Sequence, residues 1–154
     1  MAKNGTWVDP TLSAFERFAD TSESTAQKEA RGAALGQFFR AVVAMRRAGV
    51  RLLAGSDMAG AFWPTDVHEE LRLFAEAGLS PAETLAIATH DAAAFLGMND
   101  AGSIRKGQNA DLVLLRRNPL EDIRNTRSVA AVILRGKHFT AEQLQSLAMG
   151  ARAR

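Results

Sequence analysis

The chain contains no cysteine, which excludes disulfides, thiolate zinc sites and cysteine nucleophiles together. No apolar run approaches the ~18 residues that a membrane span requires. The opening Met1-Ala2-Lys3-Asn4-Gly5 also lacks a signal-peptide core. A cytoplasmic protein without membrane contact is therefore expected. Charge of one sign is scarce as well: 19 Lys and Arg against 17 Asp and Glu leave +2, too little to imply a polyanionic partner. The basic residues fall in scattered pairs such as Arg46-Arg47 and Arg116-Arg117, without interleaved aromatics, so nucleic acid is not an expected partner. G-x-S-x-G, G-x-x-x-x-G-K-[ST] and a strand-following G-x-G-x-x-G are all missing. H-x-H and H-E-x-x-H are missing too. What remains is 154 residues, 47% apolar and 23% charged, the composition of one globular domain with at most a small appendage.

Periodicity orders the chain. Thr6-Trp7-Val8 is a short β-prone run stopped by Asp9-Pro10. A short helix fits Ser13 to Asp20, and Thr21 to Thr25 is polar enough for a loop or helix entry. Leu35, Phe38, Phe39, Val42 and Met45 then recur at helical spacing. That predicts a helix with this stripe buried and Lys28, Arg31, Gln37 and Arg40 in water. Gly49 ends it, and Val50 to Ala54 reads as a buried strand closed by Gly55-Ser56-Asp57. After a loop over Met58 to Thr65, Asp66 caps a helix with Val67, Leu71, Phe74 and Ala75 on one face. Ser80-Pro81-Ala82-Glu83 combines a capping box with proline in the first turn. That helix is expected to end by Thr89, with a second one capped by Asp91. Beyond Asn99, strands are expected at Ser103-Ile104, Leu112 to Leu115, Val129 to Leu134 and His138-Phe139, with turns at Lys106-Gly107 and Arg135-Gly136-Lys137. Thr140 caps a last helix to Met149. A helix, a glycine and a buried strand in succession indicate a layered α/β fold.

Asp57 is the first candidate for chemistry. It stands at the carboxyl end of a buried strand, the end that faces the active site in parallel α/β folds. A carboxylate there can bind a metal, act as a general base, or simply cap the next turn. Three histidines are available: His68, His90 and His138. His68 opens a helix beside Glu69 and Glu70, close in sequence to the Asp57 loop, and either lines the same pocket or faces solvent. His90 reads as a hinge residue and His138 as a structural strand residue.

Several strings carry a resemblance. Gly5-Thr6-Trp7-Val8 with Pro10-Thr11-Leu12 comes first. Ala48-Gly49-Val50 leading to Ala54-Gly55-Ser56-Asp57 follows, then His68, Glu70 and Leu71, Glu76 to Pro81, and Ala88-Thr89-His90-Asp91-Ala92-Ala93. The tail adds Gly102-Ser103-Ile104, Lys106-Gly107, Ala110-Asp111-Leu112-Val113, Asn118 to Asp122 and Val132 to Lys137. In this order they resemble the C-terminal part of a metal-dependent amidohydrolase, of the imidazolonepropionase-like and dipeptidase-like group. The resemblance implies the last portion of a (β/α)₈ TIM barrel, about two βα units over residues 1–98. It also implies the C-terminal share of a small β-sandwich over 99–139, then a helix and tail over 140–154.

Family enzymes direct a metal-bound hydroxide at an amide or lactam carbon over the barrel mouth. Their eighth-strand aspartate helps bind the metal, takes the proton from water and returns it to the leaving nitrogen. Asp57 matches that residue, which makes it the catalytic and metal-binding candidate, and Ser56, Met58 and His68 become substrate-pocket candidates. The family's H-x-H, its bridging lysine or glutamate and two later histidines have no counterparts, since every histidine here follows Asp57. A divalent metal, zinc by expectation, is thus implied for a complete enzyme and not for this chain alone, because a catalytic zinc takes three protein ligands. A full barrel needs about 250 residues. The expectation is a fragment acting on small amide, lactam or dipeptide substrates once the N-terminal portion is supplied, with Met1 an internal methionine or a misplaced start. The alternatives are one half of a split enzyme, or a non-catalytic module that self-associates into a homo-oligomer through its strand edges.

Overall fold

Asp9-Pro10 ends the first strand as the sequence predicts, leaving β1 only Trp7–Val8. In the computed structural model, which describes residues 1–17, 24–57 and 66–152, β1 pairs in parallel with β2 (Arg51–Leu52), Trp7 opposite Arg51 and Val8 opposite Leu52. One further bond, from the Leu53 N–H to the Val8 carbonyl at 2.9 Å, extends the ladder. The strand expected over Val50 to Ala54 is therefore shorter, and it is not buried on both faces. Val50 and Leu52 are buried, whereas the Arg51 guanidinium lies outside, 5.0 Å from the Trp7 ring centroid.

Three helices surround this pair. The first, α1 (Leu12–Arg17), follows β1. Next, α2 (Thr25–Arg47) starts at a capping box in which Ser24 and Gln27 bond each other's backbone. The third, α3 (Asp66–Ala77), follows β2. Leu12, Val42, Leu52, Leu71, Leu73, Phe74 and Leu79 form one core with Ile87 and Ile123. The α2 stripe is only partly covered: Val42 is buried, but Phe38 stays 46% exposed, its ring edge-on to Phe15 at 4.8 Å. Arg31, expected in water, is half-buried and donates to the Glu16 carbonyl. On α3, Val67 is 41% exposed, and Leu73 joins Leu71 and Phe74 inside.

The break expected at His90-Asp91 does not occur. Helix α4 (Pro81–Ala86) runs through a π-helical turn, Ile87–Asp91, into α5 (Ala92–Phe95). Asp91 caps nothing; it sits at helical φ −70°, and its carboxylate accepts from Arg46 at 3.2 Å. The wider turn absorbs one extra residue while keeping the backbone paired, so no cap is needed. Ser103-Ile104 is likewise not a strand. Ser103 donates to Gln108 at 2.7 Å, Ile104 is 86% exposed, and left-handed glycines flank the segment at Gly102 and Gly107.

The remaining strands form an antiparallel sheet in the order β3 (Leu112–Leu115), β4 (Val129–Leu134), β5 (Lys137–Thr140). A 3₁₀ segment, Ile123–Arg127, which the apolar pattern did not reveal, precedes β4 and sends Ile123 into the core. Thr140 and Gln143 box the start of α6 (Ala141–Arg152). Among the described residues no helix is long and apolar enough to cross a membrane.

Gly102 joins the helical part to the sheet. At φ +79° its α-carbon is so close to the π-helical turn that an added Cβ would lie 2.6 Å from the Ala93 Cβ and 2.8 Å from the Thr89 carbonyl. Gly102→Ala is therefore expected to lower stability by more than about 1 kcal/mol. The urea midpoint measures this, and an unchanged midpoint would refute the close approach.

Candidate active site

The carboxyl ends of β1 and β2 lie side by side and are cross-linked. The Asp9 carboxylate accepts the Gly55 N–H at 2.9 Å. The approach is so close that a Cβ on Gly55 would stand 2.0 Å from an Asp9 oxygen. Two residues on, Asp57 is exposed and left-handed, at φ +48°. Aspartate tolerates that conformation better than most residues. Ser56 is half-buried beside it. Met58 lies outside the described residues.

The loop after β1 is also strained. Thr11 is at φ +46°, where a β-branched residue costs of order 1–3 kcal/mol unless its surroundings hold it. Immediately after it, the N–H groups of Leu12 and Ser13 donate to the two oxygens of Glu70, at 3.0 and 2.8 Å. Glu70 is 0% exposed. Burial lifts its carboxyl above the ordinary range, the two backbone bonds pull it back, and the charge of Asp9 adds to the lift. Sequence reasoning passed over Asp9, Thr11 and Glu70 as functional residues. The available signal was position: Glu70 falls between Val67 and Phe74 on the apolar stripe of α3, where an acid needs a partner.

His68 is two residues from Glu70, about 200° around the helix, and so faces elsewhere. Its Nδ1 is 3.0 Å from the Thr126 hydroxyl. It lines a cavity of about 450 Å³ with Leu71, Leu85, Thr89, Asp111 and Thr126. Neither Ser56 nor Asp57 is among the described residues lining that cavity, so the structure does not bring His68 to Asp57 there. His90 is exposed, with Nδ1 3.0 Å from Asp91. His138 is exposed on β5, bordering a groove against α6. Among the described residues no three His, Cys, Asp or Glu side chains gather as a metal site would require.

Burial first, then the Arg127 charge, depresses the His68 pKa, with Glu69 opposing. The unfolded chain therefore binds more protons near pH 6.5, and the stability contributed by neutral His68 is lost as pH falls through that value. Glu70 acts oppositely and lower: its raised pKa makes stability decline as pH rises from about 4.5. The urea midpoint should drop between pH 7.5 and 5.5, and His68→Gln should flatten that drop. Equal slopes in the two proteins would exclude His68 as the cause.

A family profile described as the amidohydrolase family matches residues 1–138. Among solved structures, the chain is similar to a Xaa-Pro dipeptidase with methionine bound in its active site. Identity there is 28% and the TM-score 0.75, over 92% of this chain and 36% of that one. It is also similar to a prolidase complexed with N-methylphosphonate-L-proline, at 29% identity and TM-score 0.74, over 90% of this chain and 36% of that one. A bottromycin amidohydrolase shares 27% identity at TM-score 0.78, over 93% and 39% of the two chains. The chain thus spans little more than a third of the length of each. No curated protein sequence matches it significantly.

Proposed function

The chain belongs to the amidohydrolase family, and from that premise we propose that it is the C-terminal part of a metal-dependent hydrolase of amide C–N bonds, with Asp57 as the proton-transferring carboxylate. One observation carries this reading. Asp57 is exposed in the segment that leaves the carboxyl end of the parallel strand β2, a segment bonded to the one after β1 through Gly55 and Asp9, on the side where parallel α/β enzymes place their chemistry. The parallel pair β1–β2 with α1, α2 and α3 suits two adjacent units of a (β/α)₈ barrel over residues 1–98. The β3–β4–β5 sheet suits a share of a β-sandwich over 99–139, with 140–154 as closing helix and tail. Dipeptide-like amides are the favoured substrates over lactams, because the similar structures include a Xaa-Pro dipeptidase and a prolidase holding a proline phosphonate.

In such a hydrolysis a water oxygen bonds to the carbonyl carbon and the C–N bond breaks. Asp57 takes the proton from water and returns it to the departing nitrogen, which regenerates the carboxylate. Members of the family are generally metal-dependent, and zinc is the expected ion. The described residues do not fit a metal by themselves: they bring no three ligating side chains together, and a catalytic zinc takes three. In this reading Asp57 is contributed to a centre whose other ligands lie in an N-terminal portion. The alternative is a split enzyme in which that portion is a separate chain; the two-stranded β1–β2 sheet, with no third strand among the described residues, suits both arrangements. The same edges would serve a self-associating, non-catalytic oligomer.

Supplied with an N-terminal portion containing H-x-H, the assembly is expected to hold stoichiometric divalent metal and to cleave Xaa-Pro dipeptides. Asp57→Asn should lower kcat by about 10²–10⁴-fold, the usual weight of a general acid–base group, with assembly retained. A folded, metal-loaded assembly that cleaves no dipeptide or amide would overturn the reading, as would an Asp57→Asn protein of undiminished activity. A defined oligomer of this chain that ignores both chelator and N-terminal portion would favour the non-catalytic module.

A further inference from the structure

A helix start is ordinarily capped by the residue just before it, which supplies an oxygen from an extended backbone. At α1 that residue is Thr11, and it is left-handed at φ +46°. The acceptors come instead from Glu70, 58 positions away from Leu12 and 57 from Ser13. Burying a carboxylate costs several kcal/mol unless its oxygens are fully engaged. A local serine or asparagine cap would have cost far less. The long-range version does something a local cap cannot: it fixes the loop after β1 to the helix that follows β2.

The loop is held at a second point. Three residues before Leu12, Asp9 accepts the Gly55 N–H at 2.9 Å, and Gly55 is two residues from Asp57. Pro10 has a ring-locked φ and Thr11 a left-handed one, so the span between the two anchors has little freedom. We propose that Glu70 is a positioning residue: by clamping Leu12 and Ser13 it sets Asp9 against Gly55 and thereby fixes where Asp57 leaves β2. The functional meaning rests on the reading of Asp57 as the working carboxylate. The structural coupling does not, so it can be tested without metal, substrate or complementing chain.

Hydrogen–deuterium exchange of the 154-residue chain, read by mass spectrometry on short peptides, tests it. Glu70→Gln keeps the side-chain volume but leaves only one good acceptor. Losing a bond to a charged partner, about 1.5–3 kcal/mol, corresponds to roughly tenfold or more in local opening. Peptides covering 11–17 and 53–57 should both exchange about tenfold faster, with peptides around Val42 in α2 unchanged. Faster exchange in 11–17 alone would make Glu70 a local cap and overturn the proposal. A uniform rise across all peptides would make it a packing residue and also overturn it. If Glu70→Gln does not fold, Asp9→Ala, which removes the acceptor for the Gly55 N–H, probes the coupling from the other end. That variant should speed exchange in 11–17 as well as in 53–57, and wild-type rates in 11–17 would overturn the proposal.

Discussion

Two backbone amides at the start of α1 have no helical partners, and their acceptors are the oxygens of a carboxylate buried on another helix. Much of the arrangement at the strand ends follows from that exchange. Because Glu70 is shielded from water, its bonds to Leu12 and Ser13 act in a medium where they are strong and where losing one is expensive. The strain at Thr11 persists because both sides of it are held: Asp9 on Gly55 before it, Leu12 and Ser13 on Glu70 after it.

Around this clamp the packing is uneven. Leu71, Leu73 and Phe74 of α3 share one buried core with Leu12, Val42 and Leu52, and α3 packs on α1, α2, α4 and the Ile123–Arg127 segment. Arg72 of α3 pairs with Glu16 of α1 and so adds to the tie between the two helices, while its pairs with Glu69 and Glu76 stay within α3. They are solvent-accessible and contribute little each. Elsewhere apolar groups stay in water, including Phe38, Phe95 and Val113. Two parallel strands are fewer than an isolated sheet needs.

Local signals were the most legible. Ser80 with Glu83 and Thr140 with Gln143 form their boxes as read or extended from the read cap. Gly49 and Gly78 stand at the helix ends with positive φ, because only a residue without a side chain turns there freely. Signals that depend on neighbours misled. Asp91 and Ser103-Ile104 carried ordinary cap and strand patterns, but a π-helical turn and a close glycine contact overrode them. The Ile123–Arg127 turn had no periodicity to read.

The family of the chain was legible from the sequence alone, which also put Asp57 forward as the candidate carboxylate. The strings from Gly5 to Lys137 point to an amidohydrolase, and the family match over residues 1–138 agrees. Asp57 stood out as a candidate because strand ends are local features. Only the tertiary structure decided which side chains share a neighbourhood. His68 and Glu70, two residues apart in the sequence, are directed to different places: His68 lines a cavity with Thr126 and Asp111, and Glu70 reaches the β1 loop. The helical rotation of α3 separates them, and the folded chain brings Glu70 to amides 57 and 58 positions earlier.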